Sequence, residues 1–264
     1  MLFDLENIMR LPFVTTLLIA TAIFSGSLAA QQRRSTVTPK PKGGVVKSGE
    51  VGQTAFVIDE TLSVLRSKPS LFSDSIQRMR RGRKVQILAV TEADGVKFYR
   101  VTAPPANYGW VQADAVFGKF RGGDEERLAR LVQASDGFEQ LEIAGEFFNI
   151  YPESSFRPSI LLLYGDLLEE VAAKLSKDAA SRLSRKEMAA GGAPLHSYFL
   201  NFNMLDRYRK LDIIFQFNPA TRQFHYDGAS WRQVVAKSPT SPETIEAQKR
   251  LDSLKVKMER VSVK

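Results

Sequence analysis

Short apolar runs separated by turn residues occupy the stretch from Ala55 to Val116, and longer runs with helical spacing follow it. Ala55–Ile58 and Leu62–Arg66 read as strands, and a polar loop from Ser67 to Ser75 surrounds Pro69. Ile76 and Met79 lead into Arg80-Arg81-Gly82-Arg83. Beyond that turn Val85, Ile87 and Ala89 alternate with Lys84, Gln86 and, less cleanly, Leu88. Asp94-Gly95 predicts a hairpin turn into Lys97–Val101, because both residue types accept the positive φ that such a turn needs. Pro104–Asn107 makes the next turn, and Gly109-Trp110-Val111 with Ala115-Val116 completes a set of five or so strands. This spacing predicts a small closed barrel.

Helical periodicity begins after Gly122-Gly123. Asp124-Glu125-Glu126 suit a helix start, and Leu128, Leu131 and Val132 share a face. A second helix carries Phe138, Leu141, Ala144 and Phe148 to Tyr151-Pro152. A third runs from Ile160 through Leu163, Leu167 and Val171 to Leu175 and continues as a polar segment from Lys177 to Ala190. Beyond the Gly191–Pro194 break, Tyr198, Phe199, Phe202, Leu205, Tyr208, Leu211 and Phe215 predict another helix, stopped by Phe217-Asn218-Pro219. Trp231, Val234 and Val235 precede a last helix that begins after Pro242 and carries Ile245, Leu251, Leu254 and Met258.

The predicted organisation is therefore α+β and multidomain: residues 1–29 a signal peptide, 30–53 a flexible basic linker, 54–121 the barrel and 122–264 a helical domain. The signal reading rests on the apolar stretch Leu11–Phe24, which precedes small residues with Ser27 and Ala29 placed for cleavage. Asp4 and Glu6 ahead of Arg10 depart from the usual basic leader, and a start at Met9 instead of Met1 removes them. An uncleaved membrane anchor is the alternative. The apolar core is shorter than the ~20 residues of a spanning helix, so cleavage and export to the periplasm or the extracellular space is expected.

Composition then narrows the chemistry. The formal net charge is +8, from 37 basic and 29 acidic residues, which favours an anionic neighbour without identifying one. There is no cysteine, so disulfides, thiolate metal sites and a thiol nucleophile are excluded. His196 and His225 are the two imidazoles. Neither belongs to a nucleophile, phosphate-loop or metal-ligand pattern, so no enzyme activity, cofactor or metal is expected. Glu139, Glu142, Glu146, Glu169 and Glu170 read as solvated helix faces, and His225 as a loop or inter-helix packing residue.

The barrel stretch resembles the bacterial SH3-like (SH3b) domain family. The residues carrying the resemblance are Leu62–Arg66 with Pro69-Ser70, Ile76 before Met79–Gly82, the Lys84–Leu88 strand, Phe98–Val101, and Tyr108-Gly109-Trp110-Val111. The family's usual Asn-Val-Arg is here Ser63-Val64-Leu65-Arg66, and Phe98-Tyr99 stands where a tryptophan is frequent. The resemblance implies an extracytoplasmic binding module directed at peptidoglycan or peptide. Tyr99, Tyr108, Phe98, Trp110 and Arg66 are the candidate groove, with Trp110 and Phe98 assigned to the core and Tyr99 and Tyr108 to the exposed pair. Arg78, Arg80, Arg81, Arg83 and Lys84 place five cations in seven residues. Export excludes nucleic acid as their partner, which leaves an anionic wall or lipid contact or, as the commoner case, a solvated turn.

The helical region also shows a faint repeat. Setting Pro152 on Pro239 aligns Ser154 with Ser241 and Phe147-Phe148 with Val234-Val235. It resembles the tetratricopeptide-type helical hairpin, whose surfaces bind protein partners. The expected function is thus an exported non-catalytic binding or scaffold protein of the bacterial envelope, whose partners are cell-wall polymer or an envelope protein. Membrane contact is expected only through an uncleaved signal segment. The alternatives are a peptidoglycan-active hydrolase accessory or regulator, and a purely structural component of an envelope complex.

Overall fold

A computed structural model describes residues 48–103, 107–183 and 191–259. The predicted signal peptide, most of the predicted linker, Pro104–Ala106 of the predicted turn and part of the polar segment before Gly191 lie outside the described residues.

Seven strands form the first half: β1 (Thr54–Val57), β2 (Val64–Arg66), β3 (Ser75–Arg78), β4 (Lys84–Ala93), β5 (Val96–Ala103), β6 (Asn107–Gln112) and β7 (Val116–Phe117). They make one curled antiparallel sheet in the order β3-β2-β6-β5-β4-β1-β7, an open half-barrel. One face buries Val57, Leu65, Met79, Val85, Ile87, Tyr99, Val101 and Val111 as a single apolar core. The β4–β5 hairpin dominates the sheet and turns at Asp94 (φ 53°) and Gly95 (φ 72°), the primed turn that the sequence predicts. Leu88 faces outward, where the alternation places it, and the register shift between Ile87 and Ala89 sets Ala89, predicted to point inward, opposite the outward-facing Arg100.

Ser48–Gln53, the end of the predicted linker, is bound to the sheet. Gly52 donates to the Ile87 carbonyl at 2.8 Å, and Ile87 donates to the Gln53 carbonyl at 2.9 Å.

The second half contains α1 (Asp124–Ala134), α2 (Gly137–Ile150), α3 (Arg157–Ser181), α4 (Leu195–Leu200), α5 (Asp206–Arg209), α6 (Ala229–Lys237) and α7 (Pro242–Glu259). One finding overturns the helix predicted over Tyr198–Phe215. The chain instead forms α4, a 3-10 turn at Asn203–Leu205 and the short α5, then a ribbon of β8 (Phe215–Asn218) and β9 (Gln223–Tyr226). Asp212 ends the helical path with a φ of 57°. Asn218, read as a helix stop, builds the hairpin turn: its Oδ1 accepts from the backbone N–H groups of Ala220 and Thr221, and its Nδ2 donates to the Lys257 carbonyl. Phe199 stacks on Phe217 at 4.5 Å between ring centroids, so the aromatic run that mimics a helix is a cluster around the ribbon.

Helices α1 and α2, α2 and α3, and α6 and α7 are each consecutive antiparallel neighbours joined by a short turn. The ribbon stands between α3 and α6 in the chain, and α3 packs against β9, α6 and α7. Gly165 permits the approach of α6, since a methyl there would collide with the Trp231 indole and the Ser230 hydroxyl. A third apolar cluster joins the two halves. Ile58 and Phe117 from the sheet side pack with Leu128, Ile143, Phe147 and Ile160.

Candidate functional site

Strand register decides which of the predicted groove residues meet. On β5 and β6 the pairs Tyr99 with Val111 and Val101 with Gly109 face the core, whereas Arg100 with Trp110 and Thr102 with Tyr108 face outward. Arg66 on β2 is paired with Trp110 from the other side. The outer face therefore carries a row in which Trp110, half-buried, lies between Arg66 and exposed Arg100, with Tyr108 two residues along at 59 % exposure. Gly109 sets this parity. A side chain there would come within 2.7 Å of the Leu65 side chain and 2.8 Å of the Arg66 carbonyl, so β6 turns glycine inward and tryptophan outward.

Two assignments are corrected by this geometry. Tyr99 is fully buried instead of exposed, and Trp110 faces outward instead of into the core. Phe98 is buried, as expected, but on the outer face. A buried tyrosine hydroxyl needs a partner, and Tyr99 donates to Glu50 Oε1 at 2.9 Å. Burial, and then this bond to an anion, push the Tyr99 hydroxyl pKa well up. Glu50 belongs to the stretch read as linker, so no local pattern marked it.

The loop between β2 and β3 sits beside this face as a braced unit. Asp94 Oδ2 accepts from the Ser70 hydroxyl at 2.7 Å and the Leu71 N–H at 2.8 Å, and Arg66 Nη1 donates to the Ser73 carbonyl at 2.8 Å. Phe72 projects from this loop at 89 % exposure.

The basic run is not uniformly a solvated turn. The Arg81 side chain is 9 % exposed. Its Nε donates to the Ile58 carbonyl at 2.9 Å, Nη1 meets Glu142 at 2.8 Å, and Nη2 meets Glu139. It is a bracket between the sheet and α2, and Glu139 and Glu142 are its partners instead of a free solvated face. Arg78 braces the Glu60 and Thr61 carbonyls at 2.6 and 2.7 Å. Arg80 and Lys84 are exposed, and Arg83 is half-buried. Glu146 is also no free surface carboxylate: burial is the main cause that raises its pKa, against the lowering effects of Asn149 and Arg81.

The helical half contains a groove of about 930 Å³ between α3, β9 and α7. Its construction follows from the free side of β9. β8 satisfies one edge of that strand; on the other edge Phe224 N–H donates to Ser176 Oγ at 2.7 Å, and Tyr226 N–H donates to Glu169 Oε2 at 3.0 Å. Two acceptors two helical turns apart on α3 thus replace a third strand. Glu169 Oε1 also meets His225 Nδ1 at 2.9 Å and Lys257 Nζ at 2.7 Å. Burial opposes the charge of Glu169. The bonds from His225, Lys257 and the Tyr226 N–H outweigh that opposition and hold its pKa at about 2. His225 is therefore a buried strand residue oriented through Nδ1, not a loop residue, and Glu169 is its anchor instead of a solvated charge. Glu170 is exposed as expected.

Among the described residues no cluster of histidine and carboxylate side chains has the arrangement of a metal site, and no helix is long and apolar enough to cross a membrane. Comparison with family models, curated proteins and solved structures finds no match to this chain.

Proposed function

We propose that the protein is an exported, non-catalytic binding protein of the bacterial envelope. In this reading the curled sheet is a divergent SH3-like barrel that contacts peptidoglycan or peptide, and the helix pairs α2–α3 and α6–α7 are a TPR-like surface for a protein partner. The row Arg66–Trp110–Arg100 with Tyr108 beside it carries the reading. Indole and phenol rings supply flat contact area for sugar or peptide faces at small entropic cost, and guanidinium groups pair with the carboxylates of stem peptides. Phe72 offers a further exposed ring on the loop that Arg66 and Asp94 brace, so little ordering of that loop is needed on binding.

The test is co-sedimentation of the full chain with purified sacculi. Wild type is expected to pellet with the wall, and Tyr108→Ala combined with Arg100→Ala to reduce the pelleted fraction about tenfold, as loss of a central aromatic and a guanidinium does at other interfaces. Equal pelleting of both proteins, or none of either, overturns the assignment.

One observation favours a second reading, wall hydrolysis or its regulation: the contact of Glu169 with His225 Nδ1 gives the orientation in which Nε2 serves as a base. Clearing of a sacculus suspension by wild type but not by His225→Ala would establish it.

A further inference from the structure

We propose that the groove between α3, β9 and α7 binds an extended peptide segment of a partner protein, apolar along its middle and acidic at the end that meets Lys177 and Arg222. The inference deepens the protein-binding half of the function proposed above and rests on that half alone.

Length and shape come first. The α3 residues lining the groove run from Asp166 to Ala180, about 21 Å at the helical rise, which an extended chain spans with about six residues. The groove is open along its side; its exposed apolar surface comes from Ala173, Ala180 and the edge of Leu254, above a floor of Phe224 and Trp231, which are each 2 % exposed. A bare anion would leave that lining uncovered, whereas peptide side chains cover it. His225, whose Nδ1 is taken by Glu169, keeps Nε2 for a backbone group of the occupant, and Gln223 adds an exposed amide.

Charge then sets the direction. At one end Arg250 is neutralised by Asp166 and Glu246, and Lys257 by Glu169. At the other end, where Ser176 caps the Phe224 N–H, Lys177 and Arg222 are exposed and have no partner among the described residues. Glu170, also exposed and unpaired among the described residues, lies towards the first end. The groove thus has a dipole, cationic at the Lys177–Arg222 end and anionic at the Glu170 end. A peptide with its carboxylates at the first of these complements it. Arg222 is held at this end by the hairpin turn, where it adopts a φ of 58° and donates its N–H to the Asn218 carbonyl at 2.8 Å.

The experiment measures fluorescence anisotropy of the full chain with three labelled hexapeptides that share one apolar tetrapeptide and end in two glutamates, two glutamines or two lysines. The glutamate probe is expected to bind at least about tenfold tighter than the glutamine probe, and the lysine probe weakest. The double variant Lys177→Glu/Arg222→Glu should lose the glutamate probe and gain the lysine probe. Both positions are exposed, so the fold is retained, and a circular-dichroism melt unchanged from wild type verifies this. Lys174→Glu, an exposed residue of α3 outside the groove lining, should leave all three affinities unchanged. Equal binding of the three probes, binding of none, or a double variant that behaves as wild type overturns the inference. Sacculus co-sedimentation of the same proteins separates it from the sheet reading. If the probes fail while wall binding persists, the groove assignment alone falls; if wall binding fails while the glutamate probe binds, the sheet assignment alone falls.

Discussion

Two glutamates on neighbouring helices have opposite linkage to pH. Glu169, with its pKa held at about 2 against an ordinary 4.5, binds its proton less readily in the folded chain than in the unfolded one. Its contribution is therefore fully present above the ordinary value and is lost as pH falls towards 2. Glu169→Gln removes the anion that His225, Lys257 and the Tyr226 N–H share. We expect it to lower stability at pH 7 by about 1–2 kcal/mol, the open side of the groove screening part of the interaction. The gap from wild type should close between pH 5 and 2 in urea titrations. Glu146 is raised, chiefly by burial, so its charged form is disfavoured by folding. Glu146→Gln should then stabilise the protein at pH 7, and this advantage should shrink as wild type itself becomes protonated on acidification. Parallel titrations of the two variants that diverge in sign would confirm the assignment; the same sign in both would refute it. Neither role was legible in the sequence. Glu146 and Glu169 look like any helical surface glutamates, because the groups that set their fate, the Arg81–Gly82 turn and β9, are brought near them only by tertiary packing.

At the scale of elements, local chemistry was read well where a turn or a period is self-contained. The Asp94-Gly95 hairpin and the strand from Lys84 are where residue spacing places them, and α3 is a helix as its period predicts, although it buries Leu161, Leu168 and Ala172 beside Ile160 and Leu175 and leaves Leu163, Leu167 and Val171 half-buried. The β8–β9 ribbon was missed because Tyr198–Phe215 is aromatic at nearly helical intervals, while the period-two signal of Phe215, Phe217 and then Phe224, Tyr226 is only four residues long on each side. Likewise Gly-Trp-Val gives the strand but not its parity, which Gly109 fixes through its close approach to β2. The Asp94 turn has a second role that tests the bracing of the exposed Phe72. Asp94→Gly keeps the backbone at positive φ and deletes only the carboxylate that holds Ser70 and Leu71. The β4–β5 hairpin should remain intact, while amide exchange at Leu71 and Phe72 should rise about tenfold by hydrogen-exchange mass spectrometry. Unchanged exchange there would mean that the loop is braced from Arg66 alone.

For the whole molecule the question is what makes the sheet and the helices one cooperative unit. Arg81 offers an electrostatic answer and the Ile58–Phe117 cluster an apolar one. Of the three Arg81 partners, Glu139 is 61 % exposed and Glu142 38 %, so both carboxylates are solvated if the bracket is lost, while the carbonyl of buried Ile58 loses its donor. Arg81→Met keeps the apolar stem, and with the Ile58 carbonyl left without its donor it should cost about 1–2 kcal/mol. Phe117 is 3 % exposed in the shared cluster, with the Arg127 guanidinium 4.5 Å from its ring centroid. Truncating a buried phenylalanine to alanine costs about 3–5 kcal/mol, so apolar packing is the dominant coupling. The chain's two tryptophans report on the halves separately, Trp110 on the sheet and Trp231 on the helices. In single-tryptophan backgrounds made with Trp110→Phe or Trp231→Phe, wild type and Arg81→Met should show coincident denaturation midpoints by fluorescence. Phe117→Ala should separate them, with the sheet and the helices unfolding at different denaturant concentrations. Separation in Arg81→Met with coincidence in Phe117→Ala would reverse the order and make the buried guanidinium the joint.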